Sequence, residues 1–137
     1  MLILTDTSFL IAAARQNESN HSRARAALVA HARDGLAVPA AILAETMGLL
    51  KSHWGLHVQR HFWDSLEASG ITILGTDADL IANAHAIDLA YADAGFGFAD
   101  CTLLATCERE GTARIMSFDR RLAAYKPTFA GSLELIP

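Results

Sequence analysis

Apolar residues in this chain fall in short blocks with polar breaks, and the spacing of the blocks predicts the elements. Leu2, Ile3 and Leu4 are too few for a helix and read as a buried strand over residues 2–5. A helix follows over Thr7–Ala14, and Asn17–Asn20 are loop-like. The alanine-rich Ser22–Arg33 is helical and stopped by Gly35. Leu36–Val38 is a short strand, and Pro39 fits the first turn of a helix through AAILAETMGLLKS. Gly55 breaks that helix, and HVQRHFWDSLEA forms the next one, ended by Gly70. ITIL (71–74) is a strand. Thr76 is placed to cap a helix over Asp79–Tyr91. Asp93–Gly97 make a glycine-containing loop, Phe98–Glu110 a helix ended by Gly111, and ARIMSF (113–118) a strand. Asp119 and a helical turn come next, and LELI (133–136) reads as an edge strand.

Short strands alternate with helices, and no Asn-Gly hairpin signal interrupts them. This predicts an α/β fold: one three-layer domain over residues 1–137, with a short, mostly parallel central sheet flanked by helices. At 137 residues, 52% hydrophobic and 19% charged, the chain can build a substantial core. The net charge of −4 and pI of about 5.8 exclude a broad basic face for nucleic acid. A polyanionic ligand would need a cation to mediate contact, or local clustering of the eleven Lys and Arg. Cys101 and Cys107 lie on different faces of one predicted helix and read as buried, reduced thiols, which fits a cytoplasmic protein. The apolar N-terminal run lacks a basic region before it and is interrupted by Asp6, against a signal peptide. No stretch approaches the roughly 20 apolar residues of a membrane span.

The chemistry lies in carboxylates at unusual places. Asp6 ends the first strand between two apolar runs, and Asp119 ends the ARIMSF strand. In a parallel sheet both arrive at the carboxyl edge, where ligands bind. Glu45 shares a helical face with Ala41, Gly48 and Leu49, and Asp100 with Leu103, Leu104 and Cys107, so both are expected to point inward. Each acid has a plain alternative: Asp6, Asp100 and Asp119 as caps, Glu45 as the partner of a core arginine. Together they are harder to explain. Two carboxylates about 4 Å apart repel by about 4 kcal/mol at an effective dielectric of about 20. A hard divalent cation, Mg²⁺ or Mn²⁺, offsets that repulsion with oxygen ligands alone.

The segments LTDTSFL, ILAETMGLL, FADCTLLAT and IMSFDRRL, in that order, resemble a PIN domain, and the short length resembles its VapC-type toxins. The resemblance covers nearly the whole chain. It implies Asp6, Glu45, Asp100 and Asp119 as metal ligands and catalytic acids. Ser8 and Ser117 match supporting hydroxyls, and Asp93 falls where some members carry a further acid. The implied activity is a Mg²⁺-dependent endoribonuclease, with Mn²⁺ as a substitute, that cuts by in-line attack of water and leaves 5′-phosphate and 3′-hydroxyl ends. The implied partners are RNA, a cognate antitoxin protein and a second copy in a homodimer, without a membrane. The alternatives are a PIN module in RNA processing and a non-catalytic module that binds RNA or protein.

Other signals are weaker. His53, His57 and His61 recur every four residues, but no further zinc ligand accompanies them. Trp54, Phe62 and Trp63 beside them suit a dimer contact or core packing equally. Arg15, Arg120 and Arg121 lie near two of the acids, where they can steer phosphates or form solvated surface. LTDTS also resembles the aspartyl-phosphate motif of haloacid-dehalogenase-like phosphatases, but Ser8 stands where that motif has its second Asp. A receiver-like domain needs paired acids before its first helix, which are absent.

Overall fold

Leu2–Thr5 forms β1, the middle strand of a five-stranded sheet, in a computed structural model that describes all 137 residues. The other strands are β2 (Gly35–Pro39), β3 (Thr72–Leu74), β4 (Arg114–Met116) and β5 (Glu134–Ile136). Their order is β3-β2-β1-β4-β5, and every pairing is parallel. The chain therefore builds outward from β1 on one side and later returns to its other side. This is the topological switch at which α/β sheets open a crevice beyond the strand ends. The register sets Thr5 beside Met116, and the Asp6 amide continues the ladder with a 3.0 Å bond to the Met116 carbonyl.

Six helices cover the sheet: α1 (Thr7–Ala14), α2 (His21–Ala30), α3 (Ala40–Trp54), α4 (Leu56–Ser69), α5 (Ala78–Ala90) and α6 (Phe98–Glu110). The two-residue period of the strands divides their side chains between two layers. Ile3, Met116 and Ile136 pack with Phe9 of α1 and Ala24 and Ala27 of α2. Leu4, Ile115 and Val38 pack on the opposite face with Ile42 and Leu50 of α3 and Leu103 and Leu104 of α6. Alanine at 24 and 27 lets α2 approach closely, which explains how an alanine-rich chain closes this core. Leu80 and Ala84 of α5 pack on Cys101 and Ala105 of α6. Both cysteines are free and buried, as expected.

The expected architecture is present, with local differences. α2 ends at Ala30, and Gly35 belongs to β2 rather than only stopping the helix. Pro39 ends β2 and stands just before the first turn of α3. The cap of α5 is Asp77, not Thr76. The Asp77 carboxylate accepts the Leu80 N–H at 2.8 Å and is held by Arg109 at 2.7 and 3.1 Å. A charged acceptor suits the positive end of a helix better than a neutral hydroxyl. The Thr76 hydroxyl is left buried without a partner. The every-four recurrence of histidines is split between two helices: Gly55, at φ 100°, separates His53 on α3 from His57 and His61 on α4. No helix is long and apolar enough to cross a membrane.

Candidate active site at the strand switch

Asp6 leaves β1 at the N-cap position of α1, yet its side chain makes no capping bond. It turns instead toward the end of β4. Ser117 donates to Asp6 Oδ2 at 2.7 Å and Ser8 donates to the same oxygen at 3.0 Å. Ser117 Oγ also accepts the Asp119 N–H at 2.9 Å, and Ser8 Oγ accepts the Phe118 N–H at 3.0 Å. Two hydroxyls thus hold one carboxylate while gripping the backbone that carries the next. Phe118, between them, stacks on Phe9 at 5.9 Å, with the Arg23 guanidinium 5.3 Å from its ring centre. This packing anchors the loop after β4 to the core.

Asp6 is only 3% exposed. Burial pushes its carboxyl above the ordinary range and the nearby Asp100 charge adds to this, while bonds from Ser117, the Thr7 amide and Ser8 pull it back. An ionised Asp6 is therefore a group under electrostatic load.

Asp100 and Asp119 complete the cluster on the neighbouring elements. Asp100, in the first turn of α6, accepts the Gly97 N–H at 2.9 Å, and its side chain is 13% exposed. Asp119, 20% exposed, caps a 3₁₀ turn (Arg120–Ala124) by accepting the Arg121 N–H at 3.0 Å. The capping alternative thus applies to Asp100 and Asp119 but not to Asp6. Arg121 closes the cluster. Its Nε lies 3.0 Å and its Nη2 2.5 Å from the two Asp119 oxygens, and Nη2 also reaches Asp100 Oδ2 at 3.5 Å. Nη1 donates to the Gly95 carbonyl at 2.6 Å. Hydrogen bonding from Arg121 holds the Asp119 carboxyl below the ordinary range, and Asp119, Asp100 and Asp6 all raise the Arg121 pKa.

Glu45 and Asp93 make no hydrogen bond or ion pair with these acids, and both are exposed. The buried face of α3 is Ile42, Thr46, Met47 and Leu50, so Glu45 falls outside it. The expectation that Glu45 points inward is corrected: its side chain is exposed, because the buried stripe runs through Ile42, Thr46 and Leu50, and Glu45 lies about 100° around the helix from Thr46. Asp93 is exposed in the loop before α6 and makes no hydrogen bond to the cluster. No three carboxylate, His or Cys side chains are gathered closely enough to hold an ion as they stand. The three linked acids nevertheless suit a hard cation, since all donors are oxygens and one guanidinium already lies between two of them. The link from Arg121 to Gly95 and Asp100 was not read from the sequence, although an arginine two residues after an expected ligand is a visible signal.

A family model described as PIN domain matches residues 3–126, a span holding all four expected acids and both serines. No curated protein matches the chain. Among solved structures, VapC20 of Mycobacterium tuberculosis, described as a toxin that cleaves the sarcin-ricin loop, superposes with a TM-score of 0.83 at 24% identity. That match covers 98% of this chain and 99% of the other. VapBC2 of Rickettsia felis, bound to a DNA fragment from its promoter, superposes with a TM-score of 0.76 at 13% identity over 100% of each chain. At these identities the two likenesses establish the fold.

Proposed function

Because the chain belongs to the PIN domain family, we propose that it is a metal-dependent endoribonuclease and the toxin of a toxin–antitoxin pair. The observation that carries this reading is Asp6. A buried carboxylate is held by two hydroxyls beside Asp100 and Asp119, at the switch point of a parallel sheet. A stability role explains it poorly, since burial of that charge opposes folding. Asp6, Asp100 and Asp119 would hold the cation, with Glu45 turning in from the exposed edge of α3. Mg²⁺, or Mn²⁺ in its place, would supply charge neutralisation and a water of lowered pKa. The chain's own part is orientation: Ser8 and Ser117 fix Asp6 and tie it to the backbone of Phe118 and Asp119. The Gly97 amide fixes Asp100. Asp93 is assigned a role at the rim only.

The family neighbours include a sarcin-ricin loop-cleaving toxin and a VapBC complex, which supports RNA as substrate and an antitoxin as partner. A groove of about 780 Å³ between α1, α2 and α4, with Leu28, Leu36 and Val58 in its walls and Arg25 and Asp34 among its polar residues, would suit an apolar segment of the antitoxin. Homodimer formation through α4 is part of the proposal. Of its aromatics Phe62 is buried in the core, whereas Trp63 is exposed and available. Arg15, lying 4.3 Å over the Trp54 ring, is committed to that stack. The site of action is the cytoplasm, where RNA is met. The non-catalytic alternative gains from the Arg121 clamp over Asp119.

Cleavage of total RNA with and without Mg²⁺, with mapped ends, separates these readings. Mg²⁺-dependent cuts leaving 5′-phosphates, lost in Asp100→Asn, are expected. Cutting that persists in excess EDTA overturns the proposal.

A further inference from the structure

Arg121 lies between Asp119 and Asp100, two of the acids that would hold the cation. Its guanidinium forks onto both oxygens of Asp119, shares Nη2 with Asp100 and is anchored by the Gly95 carbonyl. Two features make this an exchangeable occupant rather than a fixed strut. The side chain is 53% exposed, so it can leave without opening the core. It is also borne on the 3₁₀ turn just after Asp119, so it stays at the rim once released. We infer that Arg121 is a resident competitor for the cation site: it neutralises Asp119 and Asp100 in the metal-free protein, yields them to a dication, and then offers its fork to the RNA phosphate. This inference rests on the functional reading above. A guanidinium matches a phosphate as well as a carboxylate, which a lysine ammonium does not. The same residue can therefore change partner without changing chemistry.

Competition of this kind lowers apparent affinity by the fraction of molecules in which the site is open. A clamp closed about four-fifths of the time weakens cation binding about fivefold, equivalent to about 1 kcal/mol. That lies at the upper end for an exposed ion pair, as a forked geometry warrants.

The test is Mn²⁺ binding to the full chain without RNA, followed by the loss of the free-ion paramagnetic resonance signal. R121A should bind Mn²⁺ about fivefold more tightly than wild type, and R121K, which keeps the charge but loses the fork, should fall between them. R120A removes the same charge from an exposed neighbour with no hydrogen bond or ion pair, and it should bind like wild type. R121A should also need more RNA for half-maximal cleavage at saturating Mn²⁺, although its cation site is tighter. Equal Mn²⁺ affinity in wild type and R121A, or an equal gain in R120A, overturns this inference and leaves the nuclease reading standing. An R121A that needs no more RNA than wild type removes the phosphate role. A wild-type protein that binds no Mn²⁺ overturns both readings.

Discussion

Replacing Ser117 with alanine removes one buried hydroxyl that bonds to two of the acidic residues at once. Its oxygen donates to Asp6 Oδ2 at 2.7 Å and accepts the Asp119 N–H at 2.9 Å. A hydrogen bond to a charged group contributes about 1.5–3 kcal/mol, and a neutral one about 1 kcal/mol. The Asp119 N–H bond is only part-buried, so water can replace part of it and the net cost should be about 2 kcal/mol at neutral pH. For a domain of this size that lowers Tm by roughly 6–10 °C. The cost should also depend on pH in a defined direction. Asp6 already titrates above the ordinary carboxylate range because it is buried, and the Ser117 bond opposes that rise. Without the bond the carboxyl rises further. The mutant therefore pays its extra penalty above the Asp6 pKa, where the group is charged, and that penalty fades as pH falls and Asp6 takes a proton. Other acids held below their ordinary range, such as Asp77 and Asp119, lose stability in acid in both proteins and cancel from the difference. Urea unfolding of wild type and S117A from neutral pH to about pH 4 measures that difference directly. S8A should behave alike but more mildly, since its bond to Asp6 is longer at 3.0 Å. A cost that stays constant with pH, or none at all, would refute the view that Ser117 supports a charged Asp6.

Three further outcomes are expected. Asp6→Asn should abolish RNA cleavage while leaving the fold equally or more stable at neutral pH: a carboxyl raised on folding stabilises only below its ordinary pKa, and that contribution is lost as pH rises through the folded value. Thermal melts that show D6N less stable than wild type at neutral pH would contradict this. Glu108→Gln should destabilise by about 1–2 kcal/mol. Burial opposes the charge on Glu108, but bonds from the Thr128 side chain, Tyr125 and the Thr128 amide outweigh it and tie residues 125–128 to α6. That contribution is present above the ordinary glutamate range and vanishes as pH falls through the lowered value, so the mutant and wild-type melting curves should converge in acid. Gly55→Ala should cost about 1–3 kcal/mol, because φ 100° excludes ordinary side chains and a Cβ there would meet His57 Nδ1 at 3.1 Å. The urea midpoint should fall without a change in slope.

Local pattern was enough for the elements and for the edge of the sheet that bears the acids. An apolar triplet ending in Thr5-Asp6 and another ending in Met116-Ser117 can only deliver Asp6 and Asp119 to the same side once their strands are parallel neighbours. Asp100 was legible because the first turn of a helix accepts a carboxylate and its neighbours at i+3 and i+4 are apolar. Helical periodicity misplaced Glu45, whose i±3 and i±4 partners include the exposed Gly48, while the core took the stripe through Ile42, Thr46 and Leu50. Composition also failed to separate Thr76 from Asp77 as a cap, since Arg109, which secures Asp77, is 32 residues away.

By its order of residues alone the chain determined the α/β alternation, the parallel sheet and which acids reach its carboxyl edge, because these follow from periodicity and short-range sterics. Tertiary structure decided the rest: that Ser8 and Ser117 converge on one Asp6 oxygen from opposite ends of the chain, that Glu45 faces solvent, and that Arg121 lies across Asp119 and Asp100. Those relations are set by the direction of side chains whose backbones meet only after the sheet has closed, and no local pattern carries that information.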